Sequence, residues 1–210
     1  MTDDVVQAVR TRFDGRAPSY DASAMHRELA DAVAAFVDPS AVTAVLDVAT
    51  GTGLVLRALR DRCGPVVPRM VGVDISPGML AVARDALPDA ELVEADARQL
   101  PLPDASVDLV TCVTGLHLIP DTPMVVSEWA RVLRPGGTVV TATFATFDAS
   151  RHHRELAGDT APAPYPLRHA EFSTPQAIQG VMAADGFRLL RHETWTDGYD
   201  TVLIAELVRG

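Results

Sequence analysis

The chain has 210 residues, 48% of them hydrophobic and 22% charged, the composition and length of one ordinary globular domain with a sizeable core. Its formal net charge of −10 argues against nucleic acid or anionic membrane as a partner, since both reward clustered Lys and Arg. Two cysteines are too few for a disulfide framework and suit a reducing cytoplasm, and no signal-peptide core or apolar run of about 18 residues is present to insert into a membrane.

In chain order, residues 22–37 carry apolar side chains at helical spacing (Ala22, Met25, Leu29, Ala32, Val33, Phe36) and end at Asp38-Pro39, which predicts a helix. An apolar strand over 43–48 then runs through Asp47 into Ala49-Thr50-Gly51-Thr52-Gly53 and a helix over 53–62. Glycines at such a turn allow positive φ and bring backbone N–H groups close to a ligand. A strand over 70–74 ends in Asp74, and Ser76-Pro77 opens a helix over 76–87 as N-cap and first-turn proline. A third strand over 90–94 is followed by Asp96, a fourth is expected over 106–113, and Thr114 to Asp121 lead into a helix over 122–133. Pro135-Gly136-Gly137 makes a sharp turn into a strand over 137–144. Periodicity lapses over 145–173, then resumes with a helix over 175–185 and strands over 187–194 and 199–208, joined at the hairpin signal Thr196-Asp197-Gly198. Strands alternating with helices predict an α/β fold, a parallel sheet covered by helices on both faces. No internal repeat or second domain is visible, so 1–210 reads as one domain, with 1–38 as an N-terminal helical cap and 145–173 as a lid or a surface loop.

The glycine loop alone also fits a nicotinamide or flavin enzyme. A dinucleotide fingerprint, however, wants a third glycine where this chain has Leu56. Asp47, Asp74 and Asp96 at three successive strand ends, with Val132-Leu133-Arg134-Pro135-Gly136-Gly137-Thr138 downstream, resemble the class I S-adenosylmethionine (SAM)-dependent methyltransferases. Asp-Val-Ala-Thr-Gly-Thr-Gly, preceded by Phe13-Asp14 and Tyr20-Asp21, resembles most the ubiquinone/menaquinone-biosynthesis type. The resemblance implies a Rossmann-like, seven-stranded, mostly parallel sheet with one antiparallel strand.

It also implies SAM as cofactor and a small-molecule acceptor, either a quinone precursor or a specialised metabolite. On this reading Asp47 meets the SAM amino group, while Ala49, Gly51 and Gly53 admit the methionyl and ribose portion. Asp74 takes the ribose hydroxyls, Ile75 and Met79 flank adenine and ribose, and Asp96 with the Ala97 N–H reads the adenine edge. Thr114 and Tyr20 complete the cofactor set, with Arg16 a further partner for the SAM carboxylate. Each residue has a plainer alternative: a tight turn for the glycines, a helix N-terminal acid for Asp47, an N-cap for Asp74, core packing for Met79, and a surface acid beside Arg98 for Asp96. A frayed N-terminus with an N-cap at Asp21 is the alternative for Tyr20 and Asp21.

His117, just past the fourth strand, is the candidate catalytic base or acceptor-orienting residue, since imidazole titrates near neutrality; its alternative is loop packing. His152, His153 and His169 lack zinc spacing, so no metal is expected. The partners expected are the acceptor and, optionally, a second copy as a homodimer. The rival from another class is a non-catalytic SAM-binding protein serving a regulatory partner. A NAD-dependent oxidoreductase is weakened by Leu56.

Overall fold

The alternation of apolar runs and amphipathic segments builds a single seven-stranded sheet, seen here in a computed structural model that describes residues 2–63, 68–147 and 165–210. The strands are β1 (Ala44–Val48), β2 (Arg69–Asp74), β3 (Glu91–Glu94), β4 (Val107–Val113), β5 (Leu133–Thr146), β6 (Phe187–Thr196) and β7 (Thr201–Arg209). Their spatial order is β3-β2-β1-β4-β5-β7-β6. β7 lies antiparallel to both β5 and β6, and the other neighbouring pairs are parallel. The expected single antiparallel strand is therefore β7.

The helices are α1 (Thr2–Arg16), α2 (Ala24–Phe36), α3 (Leu54–Arg62), α4 (Pro77–Ala86), α5 (Thr122–Val132) and α6 (Pro175–Met182). Successive side chains of β1 point to opposite faces, and both faces are buried. Leu46 and Val48 join the core under α5 and α6, centred on Trp129, Phe172 and Ile178. Val45 joins the second core, under α2 and α3, with Leu29, Val33 and Leu56. Asp47 shares Val45's parity, which aims its carboxylate toward α2 and α3.

Start signals behave as the residue types require. Ser23, Ser76 and Thr174 cap α2, α4 and α6, each hydroxyl accepting from a backbone N–H three residues on. The alternative that made Asp21 an N-cap is not what the structure shows, since the cap of α2 is Ser23. Pairing of β5 with β4 starts at Leu133↔Val107 and resumes at Thr138↔Leu109, so the Pro-Gly-Gly turn is an outpouching inside β5.

Helix α1 lies within the region read as a 1–38 helical cap, although the periodicity argument placed a helix only from residue 22 onward. Its apolar residues Val6, Val9 and Phe13 line a cleft, and of the three only Val9 is buried. The expected lid over 145–173 falls largely on residues 148–164, which lie outside the described residues.

Candidate functional site

The chain turns to opposite sides of the sheet after β1 and after β4, so the switch point of the topology lies between these neighbouring strands. Open parallel sheets bind ligands there, beyond the strand C-termini. After β1, Ala49 takes φ 56°, and after β4, Thr114 takes φ 50°. Left-handed backbone at two non-glycine residues facing one another is stored strain of the kind that gathers at functional sites. Gly115 permits the approach: a Cβ there would sit 2.7 Å from the Ala49 Cβ.

The glycine loop is tied down by its own backbone and by β2. Thr50 N–H donates to the Val73 carbonyl at 3.1 Å, Gly53 N–H to Thr50 at 2.9 Å, and Gly51 N–H to Asp74 Oδ2 at 2.8 Å. A Cβ on Gly51, at φ +56°, would enter open space on the wall of the cleft. Gly53 has another role. Its Cβ would meet Leu87 Cδ1 at 2.8 Å, so it lets α3 approach α4 and turns the chain into α3 through φ 79°; it is absent from the cleft lining.

Two chambers make up the cleft. The larger is lined by Asp74 and Ile75 at the end of β2, by Met79 from α4, by Asp96 and Ala97 after β3, by Val6, Val9 and Phe13 from α1, and by Leu118 to Pro120 after β4. The smaller is lined by Asp47 from β1, Thr52 from the glycine loop, Leu54 from α3, and His26, Leu29 and Ala30 from α2. Tyr20, Ala49, Gly51, Val113 and Thr114 line both. The structure thus gathers ten residues of the sequence-derived site, all except Arg16, Gly53 and His117, around two chambers that share a wall.

Electrostatics distinguishes the three acids. Asp47 is 1% exposed, and its Oδ1 accepts from the Thr111 hydroxyl at 2.6 Å. Among the described residues no donor meets Oδ2 with bonding geometry, although the Thr50 hydroxyl lies close enough to favour the charged form. Burial raises the Asp47 pKa, Thr111 and Thr50 oppose the shift, and Asp74 adds to it, leaving a pKa of about 6. Asp74 is also raised by burial, against backbone N–H bonds from Ser76 and Gly51. At Asp96 burial pushes the pKa up, but the hydrogen bonds and charge of Arg98 outweigh it and the net shift is downward. The Arg98 guanidinium holds both Asp96 oxygens, at 2.7–3.1 Å.

His117 is 6% exposed and does not line either chamber. Its ring packs against His169 at 4.0 Å and edge-on to Phe144 at 5.9 Å. Burial, then His169 and Arg168, hold its pKa well below 6.5. Arg168 fastens the same turn by donating to the Ile119 carbonyl and, at 3.0 Å, to the Thr122 hydroxyl.

Three residues outside the proposed set emerge. Asp14 on α1 accepts from the Ser76 hydroxyl at 2.6 Å and from Gly78 N–H at 2.9 Å, which fixes α1 to the start of α4. Asp21 accepts from Thr52 and from Arg57, each at 2.5 Å, which fixes the following segment to the glycine loop. His26 stacks on Tyr20, with centroids 4.4 Å apart and planes 9° from parallel. The adjacent acid in Phe13-Asp14 and Tyr20-Asp21 was the only signal for the first two; nothing local marked the third.

This sheet order, with a glycine loop after the first strand and an acid closing the second, defines a Rossmann-like transferase built around a nucleoside cofactor. Residues 46–141 match the family model described as a methyltransferase domain. The demethylmenaquinone methyltransferase of Deinococcus radiodurans is 34% identical over 208 residues, covering 87% of this chain and 86% of the relative. The malonyl-(acyl-carrier protein) O-methyltransferase of Serratia marcescens is 34% identical over 140 residues; that match takes in 66% of this chain and only 53% of the relative. Among solved structures, a chain of the complex between the Haloferax volcanii Trm112 methyltransferase activator and a methyltransferase aligns with a TM-score of 0.72 at 26% identity, covering 95% of this chain and 96% of that one. The chain belongs to the class I SAM-dependent methyltransferases and is an enzyme of small-molecule methylation that uses SAM.

Proposed function

We propose that the acceptor is a quinone precursor or a similar small aromatic metabolite, bound beside the SAM site at the switch point. The observation that carries this reading is the pair of chambers sharing one wall, with Asp47 lining one and Asp74 the other. The Deinococcus relative supports the acceptor class, and so does the largely aliphatic and aromatic wall beside the shared residues.

SAM supplies a methyl group already activated by its sulfonium, so the protein's task is alignment and exclusion of water. In the proposed arrangement Asp47 receives the α-ammonium, Asp74 the ribose hydroxyls, and Ile75 and Met79 the faces of ribose and adenine. The Ala97 N–H and Asp96 read the adenine edge, while Ala49, Gly51, Thr114 and Tyr20 contact the segment around sulfur. Gly53 supports the loop from behind. Residues 1–38 act as the cap, pinned through Asp14 and Asp21. His117, turned into the aromatic cluster, supports the turn that carries Leu118 and Ile119 to the cleft, and a base role for it would require its ring to leave His169.

The protein is proposed to act in the cytoplasm without a nucleic-acid partner; sedimentation would tell a monomer from a homodimer. Among the described residues no helix is long and apolar enough to cross a membrane. The test is turnover: SAM with a reduced 1,4-naphthoquinone acceptor should yield S-adenosylhomocysteine and a methylated product. SAM binding without turnover on a broad acceptor panel, together with stable capture of another protein, would favour the regulatory reading instead.

A further inference from the structure

The smaller chamber is chemically two-sided. Asp47 is its only acidic lining residue, and His26 is the only basic side chain lining either chamber among the described residues. An α-amino acid carries its cation and its anion on the same carbon, so whatever meets the two groups must line one small space. From this charge pattern we infer that His26 is the partner of the SAM carboxylate, a positioning residue that pairs with Asp47 to recognise the zwitterionic end of the cofactor. The inference rests on assigning the glycine-loop chamber to the methionyl portion.

Three features of the fold support it. His26 occupies the first turn of the 13-residue helix α2, its N–H engaged by the Ser23 cap, where the aligned peptide dipoles favour an anion. The Tyr20 ring, stacked on His26, fixes the imidazole plane from the side that lines both chambers. The nearby arginines do not line the chamber. Arg16 lies over the Phe13 and Tyr20 rings at 5.3 and 5.4 Å, Arg27 donates to the Asp21 carbonyl, and Arg57 binds the Asp21 carboxylate. A charge-assisted bond from imidazole N–H to carboxylate is therefore the contact this wall supplies.

Calorimetry with two probes tests the assignment independently of the acceptor. S-adenosylhomocysteine has the amino-acid end; 5′-methylthioadenosine keeps the nucleoside and thioether but lacks that end. His26→Ala should weaken S-adenosylhomocysteine by about tenfold or more, as expected for a hydrogen bond to a charged group, while methylthioadenosine affinity stays within about twofold. His26→Gln, which keeps a donor, should recover part of the loss. Unchanged S-adenosylhomocysteine affinity in His26→Ala would overturn the inference, and so would an equal loss for both probes, which would make His26 a wall of the pocket. A wild-type protein that binds methylthioadenosine as tightly as S-adenosylhomocysteine would remove the chamber assignment, and this inference with it.

Discussion

At Asp47 a buried carboxylate has one oxygen bonded to Thr111 and the other, among the described residues, without a bonded donor, and its folded pKa of about 6 lies above the ordinary aspartate value of about 3.9. For an acid with a raised folded pKa, the native state holds the proton more tightly than the unfolded chain. Stability therefore falls as pH rises from about 4 to about 6, and the full cost is present above that window. Asp47→Asn keeps an acceptor for Thr111 and removes the buried charge. The variant without ligand should be more stable than wild type at pH 8, by on the order of 1–3 kcal/mol, and the difference should shrink toward pH 4. Its affinity for S-adenosylhomocysteine should drop by about 1.5–3 kcal/mol. Thermal melts at the two pH values and calorimetry check both halves. Ala49 offers a second test at this scale. Relief of its left-handed strain, about 1–2 kcal/mol, set against the chain entropy of glycine, about 0.5–1 kcal/mol, makes Ala49→Gly neutral to mildly stabilising. Gly115→Ala should cost about 1–3 kcal/mol through contact with the Ala49 Cβ. In the Ala49→Gly background that cost should fall by at least about 0.5 kcal/mol; strictly additive values in a denaturant cycle would show that the two residues do not meet.

Among the elements, α1 and the turn after it are tied down by polar contacts, among them the Arg10–Glu94 ion pair and two carboxylates. Asp14 bonds the N-terminus of α4 and Asp21 bonds Thr52 and Arg57, while the apolar side of α1 faces the cleft. Segments held by a few partly exposed polar contacts open well below the global unfolding free energy. Asp14→Ala and Asp21→Ala should each speed hydrogen exchange across residues 2–22 and weaken S-adenosylhomocysteine, with protection in β1 and β4 unchanged. Exchange unaltered in both variants would mean that α1 is held without these two carboxylates, by its apolar contacts and by the Arg10–Glu94 ion pair. The turn at 116–118 behaves differently, because it is packed. His117→Ala empties a site among His169 and Phe144 and should destabilise the protein by about 2–4 kcal/mol, with kcat on a working acceptor within about tenfold of wild type. A loss of about 10²–10⁴-fold in kcat with unchanged stability would instead make His117 a general base.

For the whole molecule, two cores share one sheet, and each holds one of the two tryptophans. Trp129 is a buried residue of α5, and Trp195 on β6 packs against the core of the other face. If 1–210 is one cooperative domain, single-tryptophan variants made by Trp129→Phe and Trp195→Phe should report coincident thermal transitions. S-adenosylhomocysteine at about 100 times its Kd should raise both by the same amount, corresponding to about 2.7 kcal/mol or roughly 5–10 °C for a chain of this size. Separated transitions, or a ligand shift seen by one tryptophan alone, would divide the molecule into two folding units.

The amino-acid sequence by itself determined the succession of strands and helices and the acids at the ends of β1, β2 and β3. These are local properties: apolar period, caps such as Ser76-Pro77, and glycines where φ turns positive. They also sufficed to bring Asp47, Asp74 and Asp96 to one edge of the sheet, since parallel strands joined by helices must end on the same side. What only the tertiary structure decided involves partners far apart in sequence. Helix α1 escaped the periodicity argument because its apolar side faces the cleft and only part of it is buried. His117 stands at the expected strand end, but its direction is set by His169, a residue 52 positions later. Gly53, read as part of the ligand cradle, makes room for Leu87. His26 carries no local signal at all. It enters the site because α2 packs on the side of the sheet toward which Asp47 points, and that choice depends on how long-range contacts fill both cores together.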